Sequence, residues 1–264
     1  MKHSVQAKKY LGQHFLNDAN IAHNIVQALL EKDAKTPILE IGPGTGILTQ
    51  FLIEQPHFFA LDVDTESVAY LKEKYPSHAA KILLSDFLET DLASLAGNKF
   101  NIVGNFPYNI SSQIMFKVLE EKNHVDFVVG MFQKEVALRL AEKPGSKVYG
   151  ILSVLLQAYY DIEYLFTVNA NVFTPPPKVQ SAVIRLSRNN VQKLDCDEVL
   201  FKSVIKMAFN QRRKTIRNSI RSLFNDNSIR HPLLDKRPEQ LSVDAFVELT
   251  RFVEAHDSLK TGHL

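Results

Sequence analysis

The sequence has a single cysteine, Cys196, so no disulfide within the chain supports the fold, and a reducing compartment is the expectation. It has no apolar run approaching the roughly 18 residues that span a bilayer. The N-terminal stretch 1–18 is basic but lacks the apolar segment of a secretory signal. No internal repeat or low-complexity tract is present, which excludes repeat architectures. The histidines, His124 and His231 among them, show no ligand spacing, so no metal is expected. Nor is there a large excess of one charge: 31 basic residues stand against 29 acidic ones.

That near balance is uneven. Residues 1–17 carry Lys2, Lys8 and Lys9 and no acid. Residues 202–221 carry Lys202, Lys206, Arg212, Arg213, Lys214, Arg217 and Arg221 and no acid. The rest of the chain holds 21 basic against 29 acidic residues. Two basic patches on an acidic body point to a polyanion, nucleic acid first. On an ideal helix Lys202, Lys206, Arg213, Arg217 and Arg221 share one face, whereas Arg212 falls among apolar positions. The pattern therefore predicts a break near Asn210 and two helices presenting a basic face.

The 264 residues suit one sizeable domain plus a small second one. Short apolar runs at 37–42, 58–64, 81–86, 100–105, 124–132, 164–169 and 181–186 read as seven strands. Amphipathic stretches at 45–55, 65–75, 111–122 and 133–142 read as helices between them. Alternation of this kind predicts an α/β fold with a mostly parallel, Rossmann-like sheet. After residue 187 comes a polar linker and then helical pattern to the end. The expected domains are 1–187, which would bind a ligand, and an all-α unit at 198–264.

Four runs end in a polar residue: Gly42, Asp62, Asp86 and Asn105. In open α/β sheets, ligands bind beyond the carboxyl ends of strands. The segment Glu40-Ile41-Gly42-Pro43-Gly44-Thr45-Gly46 follows a strand and opens a helix, so Gly42 and Gly44 allow close backbone approach to a ligand. Its spacing is G-x-G-x-G rather than the G-x-G-x-x-G of dinucleotide sites. Asp62 is placed to accept from ribose hydroxyls, and Asp86 from an adenine amine, with Phe87 or a neighbour packing on the ring. Taken alone, each feature also suits a tight turn or a helix cap. Together and in order they predict a nucleoside-bearing cofactor, and S-adenosylmethionine fits better than NAD.

After the fourth strand comes Gly104-Asn105-Phe106-Pro107-Tyr108-Asn109. An adenine exocyclic amine is a poor nucleophile, because its lone pair is delocalised into the ring. Two acceptors for its N–H groups help: the Asn105 side-chain oxygen and a backbone carbonyl before or at Pro107. Tyr108 is suited to stacking on the base. No general base is needed, because the sulfonium is a good leaving group and positioning supplies most of the rate.

The motifs LGQHFLND (11–18), EIGPGTG (40–46), SDF (85–87), GNFPYNIS (104–111) and FTPPPKVQSAV (173–183) together resemble the ribosomal RNA adenine dimethyltransferases. The segment AFNQRRKTIRNSI (208–220) is similar to the C-terminal domain of the small-subunit (16S) branch. The likeness runs from about residue 6 to 250. It implies a class I methyltransferase domain that dimethylates two adjacent adenosines near the 3′ end of small-subunit rRNA. It also implies cofactor contacts at His14, Leu16, Gly42, Asp62, Asp86 and Asn105, and a hold on the target adenine by Phe173, just before Thr174-Pro175-Pro176-Pro177. His14 stands where many members have Asn, and Phe106 where the family usually has Leu. Lys206, Arg212, Arg213, Lys214, Arg217 and Arg221 are the expected rRNA contacts. An immature 30S subunit as partner, a monomeric state and a cytoplasmic location complete the expectation. Competing readings are a large-subunit rRNA methyltransferase of the antibiotic-resistance type, an assembly factor with secondary methylation, and a DNA adenine methyltransferase.

Overall fold

The computed structural model describes residues 5–224 and 228–256. Among these, nine strands form: β1 (Phe15–Leu16), β2 (Ile38–Ile41), β3 (Phe58–Asp62), β4 (Ile82–Leu84), β5 (Phe100–Asn105), β6 (Val125–Gln133), β7 (Tyr160–Val168), β8 (Phe173–Thr174) and β9 (Ser181–Arg188). Seven of them make one sheet in the order β4-β3-β2-β5-β6-β9-β7, and β1 and β8 pair separately. The pairs β4/β3, β3/β2, β2/β5 and β5/β6 are parallel, while β9 runs antiparallel to β6. All four residues of β2 are buried, as befits a central strand covered on both faces.

The chain order reverses at β2: β3 and β4 lie to one side, β5 and β6 to the other. A crevice opens beyond the strand ends at such a switch point. Here it falls between the loops that follow β2 and β5, which are the glycine-rich and Asn-Phe-Pro-Tyr segments.

Helices cover the sheet. α1 (Ala19–Leu30) starts where the Asp18 carboxylate accepts from the amides of Asn20 and Ile21. It buries Ala22, Ile25, Val26 and Leu29, a helical repeat, in one cluster with Ile38, Val103 and Val129 of the sheet. α2 (Thr49–Leu52), α3 (Thr65–Lys74), α4 (Leu92–Ala96), α5 (Ser111–Glu120) and α6 (Lys134–Ala141) follow in turn. α7 (Ile151–Gln157), α8 (Glu198–Asn210), α9 (Ile216–Ser219) and α10 (Val243–His256) complete the set among the described residues. No described helix is long and apolar enough to cross a membrane.

The chain divides into two compact units. One comprises the described residues up to Leu138 together with Asp161–Arg188; the other comprises Arg139–Tyr160 and the described residues from Asn189 on. The sequence pattern assigned 139–160 to the first unit, yet α7 packs with α8 and α10. The reason is apolar: Val154, Leu155 and Leu156 of α7 are buried, as are Phe201, Val204, Ile205 and Ala208 of α8 and Phe246, Leu249 and Val253 of α10. A Tyr149–Phe209–Phe246 ring series runs through this second unit.

Candidate active site

The glycine loop after β2 turns sharply. Gly44 has φ +54, and a Cβ there would stand 2.8 Å from the Phe15 ring, so the position admits only glycine. Beneath the loop Glu40 is fully buried and accepts a 2.7 Å hydrogen bond from the Thr49 hydroxyl, tying β2 to α2. Burial pushes its carboxyl up to about 8; the Thr49 bond opposes this, and the Asp62 charge adds to it. Asp62, at the end of β3, accepts from the amides of Gly44 (3.2 Å) and Asp64 (2.9 Å). Burial also pushes Asp62 above the usual carboxylate value, although those two amides pull it down.

A Cβ on Gly42 would lie 3.6 Å from the Pro107 ring, so the loops after β2 and β5 come within van der Waals reach. The cleft between them has a volume of about 210 Å³. Gly42, Gly44, Asp62, Asp86, Asn105, Pro107, Tyr108 and His14 all line it. Asp86 is exposed, with Oδ1 accepting from the Leu88 amide at 2.8 Å. Phe87 is buried and does not line the cleft; the apolar neighbours of the two carboxylates are Val63 and Leu88.

Asn105 donates from Nδ2 to the backbone oxygen of His14 at 2.8 Å, which fixes the amide and commits its amino half. The Pro107 carbonyl accepts from the Ile110 amide, closing the turn. Tyr108 hydrogen-bonds through its hydroxyl to Ser181, and its ring stacks on His14 with centroids 5.3 Å apart. The His14 ring donates from Nδ1 to the Pro175 carbonyl at 2.7 Å.

Phe106, which stands in place of the usual Leu, is fully buried and lies edge-to-face with Phe132. Space for its ring comes from Gly130 on β6, where a Cβ would fall 2.2 Å from a ring carbon. Phe106 thus packs beneath the loop while still lining the cleft.

Two of the expected residues have side chains that lie away from the cleft wall. Phe173 does not line the cleft: it is buried in one cluster with Leu16, Ile25 and Val183, because β8 pairs with β1 and turns the side chain inward. The Leu16 side chain is buried in the same cluster, so the cleft sees its neighbours Phe15 and His14 instead. The sequence reading also missed Gln13, which lines the cleft, and Asp64 and Lys8, which hold the segment that Gln13 sits on. Their partners lie far apart in the chain, so no local spacing signals them.

The basic segment belongs to the second unit. α8 ends at Asn210 and α9 begins at Ile216, the break that the charge pattern predicts. Lys206, Arg213, Lys214 and Arg221 are exposed. Arg212 and Arg217 are half-buried and make contacts within the unit. Arg212 sits over the Phe209 ring and donates to the Ser146 carbonyl. Arg217 pairs with Asp235 at 2.9 Å and donates to the Ile229 carbonyl.

The family model described as ribosomal RNA adenine dimethylase matches residues 4–253. The chain is 53% identical over 261 residues to a ribosomal RNA small subunit methyltransferase A of Parabacteroides distasonis, covering 98% of each. It is 55% identical over 252 residues to the protein of that name from Cytophaga hutchinsonii, covering 94% of this chain and 98% of the relative. Among solved structures, a dimethyladenosine transferase from Plasmodium falciparum superposes with a TM-score of 0.74 at 23% identity, covering 92% of this chain and 98% of that one. The 23S rRNA methyltransferase ErmE superposes with a TM-score of 0.67 at 24% identity, covering 90% and 99%. These two likenesses are of fold.

Proposed function

The chain belongs to the ribosomal RNA adenine dimethylase family, and on that premise we propose that it dimethylates the exocyclic amines of two adjacent adenosines near the 3′ end of small-subunit rRNA. S-adenosylmethionine supplies an electrophilic methyl group on a sulfonium. The cleft suits it: two carboxylates at successive strand ends flank the apolar Val63 and Leu88, beside a backbone turn that only glycine fits. Asp62 accepts from the ribose hydroxyls and Asp86, through Oδ2, from the cofactor's adenine amine. Gly42 and Gly44 let the backbone approach the remainder. His14 and Leu16 contribute through the backbone of the N-terminal segment.

The observation that carries the proposal is the hydrogen bond from Asn105 Nδ2 to the His14 carbonyl. With the amino half committed, Oδ1 is available to accept from the target amine. The Pro107 carbonyl already accepts from the Ile110 amide, and the carbonyl of Phe106, just before the proline, is the second acceptor in this proposal. In the first transfer both N–H groups are held, and in the second the one that remains, so that the nitrogen lone pair faces the methyl group. Each time the N–C bond forms as the sulfonium C–S bond breaks, S-adenosylhomocysteine leaves and the nitrogen releases one proton to solvent, with positioning supplying most of the acceleration. Tyr108, fixed by Ser181, stacks on the extruded base.

Relatives above 50% identity carry the small-subunit name, which favours that substrate over large-subunit rRNA. The substrate is an immature 30S subunit in the cytoplasm, met by a monomer that needs no metal. Lys206, Arg213, Lys214 and Arg221 grip phosphates, with Arg212 and Arg217 shaping that surface. Primer extension on both rRNAs after reaction with unmethylated ribosomes tests the substrate: stops confined to two adjacent small-subunit adenines are expected, and stops in large-subunit rRNA contradict it.

A further inference from the structure

Residues 11–15 line the cleft along one side, and the segment carrying them is held at two ends. At its far end β1 pairs with β8, and Asn17 donates from its amide to the Val172 carbonyl (2.8 Å) and from Nδ2 to Thr174 Oγ1 (2.7 Å). At its near end everything converges on Asp64. The Lys8 ammonium pairs with this carboxylate and Gln13 Nε2 donates to it at 3.0 Å, while Gln13 Oε1 accepts from the Lys8 amide at 2.8 Å. The Asp64 side chain is wholly buried and the Lys8 side chain 20% exposed. Burial pushes the Asp64 carboxyl up, yet hydrogen bonds from Lys8, Gln13, Ser67 and the Glu66 amide outweigh it and hold it below the usual value. A buried carboxylate of this kind requires its cation.

This anchor stands between the two halves of the site. The Asp64 amide donates to Asp62 Oδ1, next to the proposed ribose contact. Gln13 is followed by His14, whose carbonyl holds Asn105. Gly12 lies so close to the catalytic loop that a Cβ would stand 2.5 Å from Asn109 Oδ1. We infer that the Lys8–Asp64 ion pair, with Gln13, is a positioning device that sets the N-terminal segment over the cleft and so couples the cofactor subsite to Asn105. The inference rests on the function proposed above and names residues that hold, without touching, the reacting atoms.

Lys8→Met tests it in the full chain, since it leaves Asp64 capping α3. The readouts are S-adenosylmethionine affinity by calorimetry, kcat for methylation, hydrogen exchange, and melting. The expected result is roughly tenfold weaker cofactor binding, about 1.4 kcal/mol, together with a lower kcat. Amide exchange should rise across residues 9–16 but not in β2, β3 or β5, and Lys8→Arg should restore most of both losses. Unchanged affinity and kcat would overturn the inference. Faster exchange throughout the sheet, with a proportionate fall in melting temperature, would overturn it equally, as a general folding defect. Failure of the unaltered protein to bind S-adenosylmethionine would instead count against the proposed function.

Discussion

The side chain of Asn105 is held by the backbone carbonyl of His14, which comes 91 positions earlier in the chain. The contact joins the loop after β5 to the N-terminal segment and engages the amino end of the amide. In the proposed mechanism Asn105→Ala removes an acceptor that matters most as the target nitrogen rehybridises. Turnover is expected to fall at least about 100-fold, nearly 3 kcal/mol, with rRNA affinity changed far less. Single-turnover methylation beside filter binding checks this, with cofactor affinity measured in parallel. A mutant that methylates at the normal rate contradicts the role given to residues 105–108.

The ring of Phe106 occupies the space that Gly130 leaves open. Gly130→Ala forces a Cβ into that ring and is expected to cost about 1–3 kcal/mol of stability by overpacking, and to slow methylation by tilting the loop after β5. Adding Phe106→Leu should recover most of the stability. Denaturant melts of the two single variants and the double variant provide the check; additive losses contradict the pairing.

Much of this arrangement is legible in the sequence. The seven sheet strands follow from short apolar runs, four of them ending in Gly42, Asp62, Asp86 and Asn105, because a buried parallel strand must be apolar until it reaches the ligand. The two-residue β1–β8 pair is not legible: it has no periodicity to read, and its strands come from opposite ends of the first unit. The burial of Phe173 is not legible for the same reason, since only that pairing shows which way the side chain turns. Phe87 or a neighbour was expected to pack on the cofactor ring; Phe87 packs inward, and its neighbour Leu88 lines the cleft. The Lys8–Gln13–Asp64 anchor joins polar residues that taken singly look solvated. Residues 139–160 read as part of the α/β pattern because the partners of α7 come from beyond residue 189.

Glu40 gives the fold a pH dependence. Its neutral carboxyl contributes stability that is fully present below the ordinary value of 4.5 and is lost as pH rises to about 8. Glu40→Gln keeps an acceptor for Thr49 but cannot ionise. Its melting temperature should therefore fall less than that of the unaltered protein as pH is raised from about 6 to about 9. Thermal melts across that range decide it; parallel curves contradict a buried neutral Glu40.

The basic segment should show itself in salt dependence. Lys206, Arg213 and Lys214 are the suitable substitutions, because Arg217 is tied to Asp235 and its loss would disturb the second unit. Replacing the three by Gln is expected to flatten the slope of log affinity against log salt by about two to three units, a little under one for each phosphate no longer neutralised. Cofactor affinity should stay the same. Subunit binding over a salt series measures this, and equal slopes contradict a grip on phosphates by these residues.

The most direct test of the central claim is methyl transfer from labelled S-adenosylmethionine to small subunits isolated without this modification, followed by nucleoside analysis. The account predicts that label ends in N6,N6-dimethyladenosine, approaching four methyl groups per subunit across two adjacent adenosines near the 3′ end of the rRNA. Label in any other nucleoside, or no transfer by a protein that binds the cofactor, would contradict it.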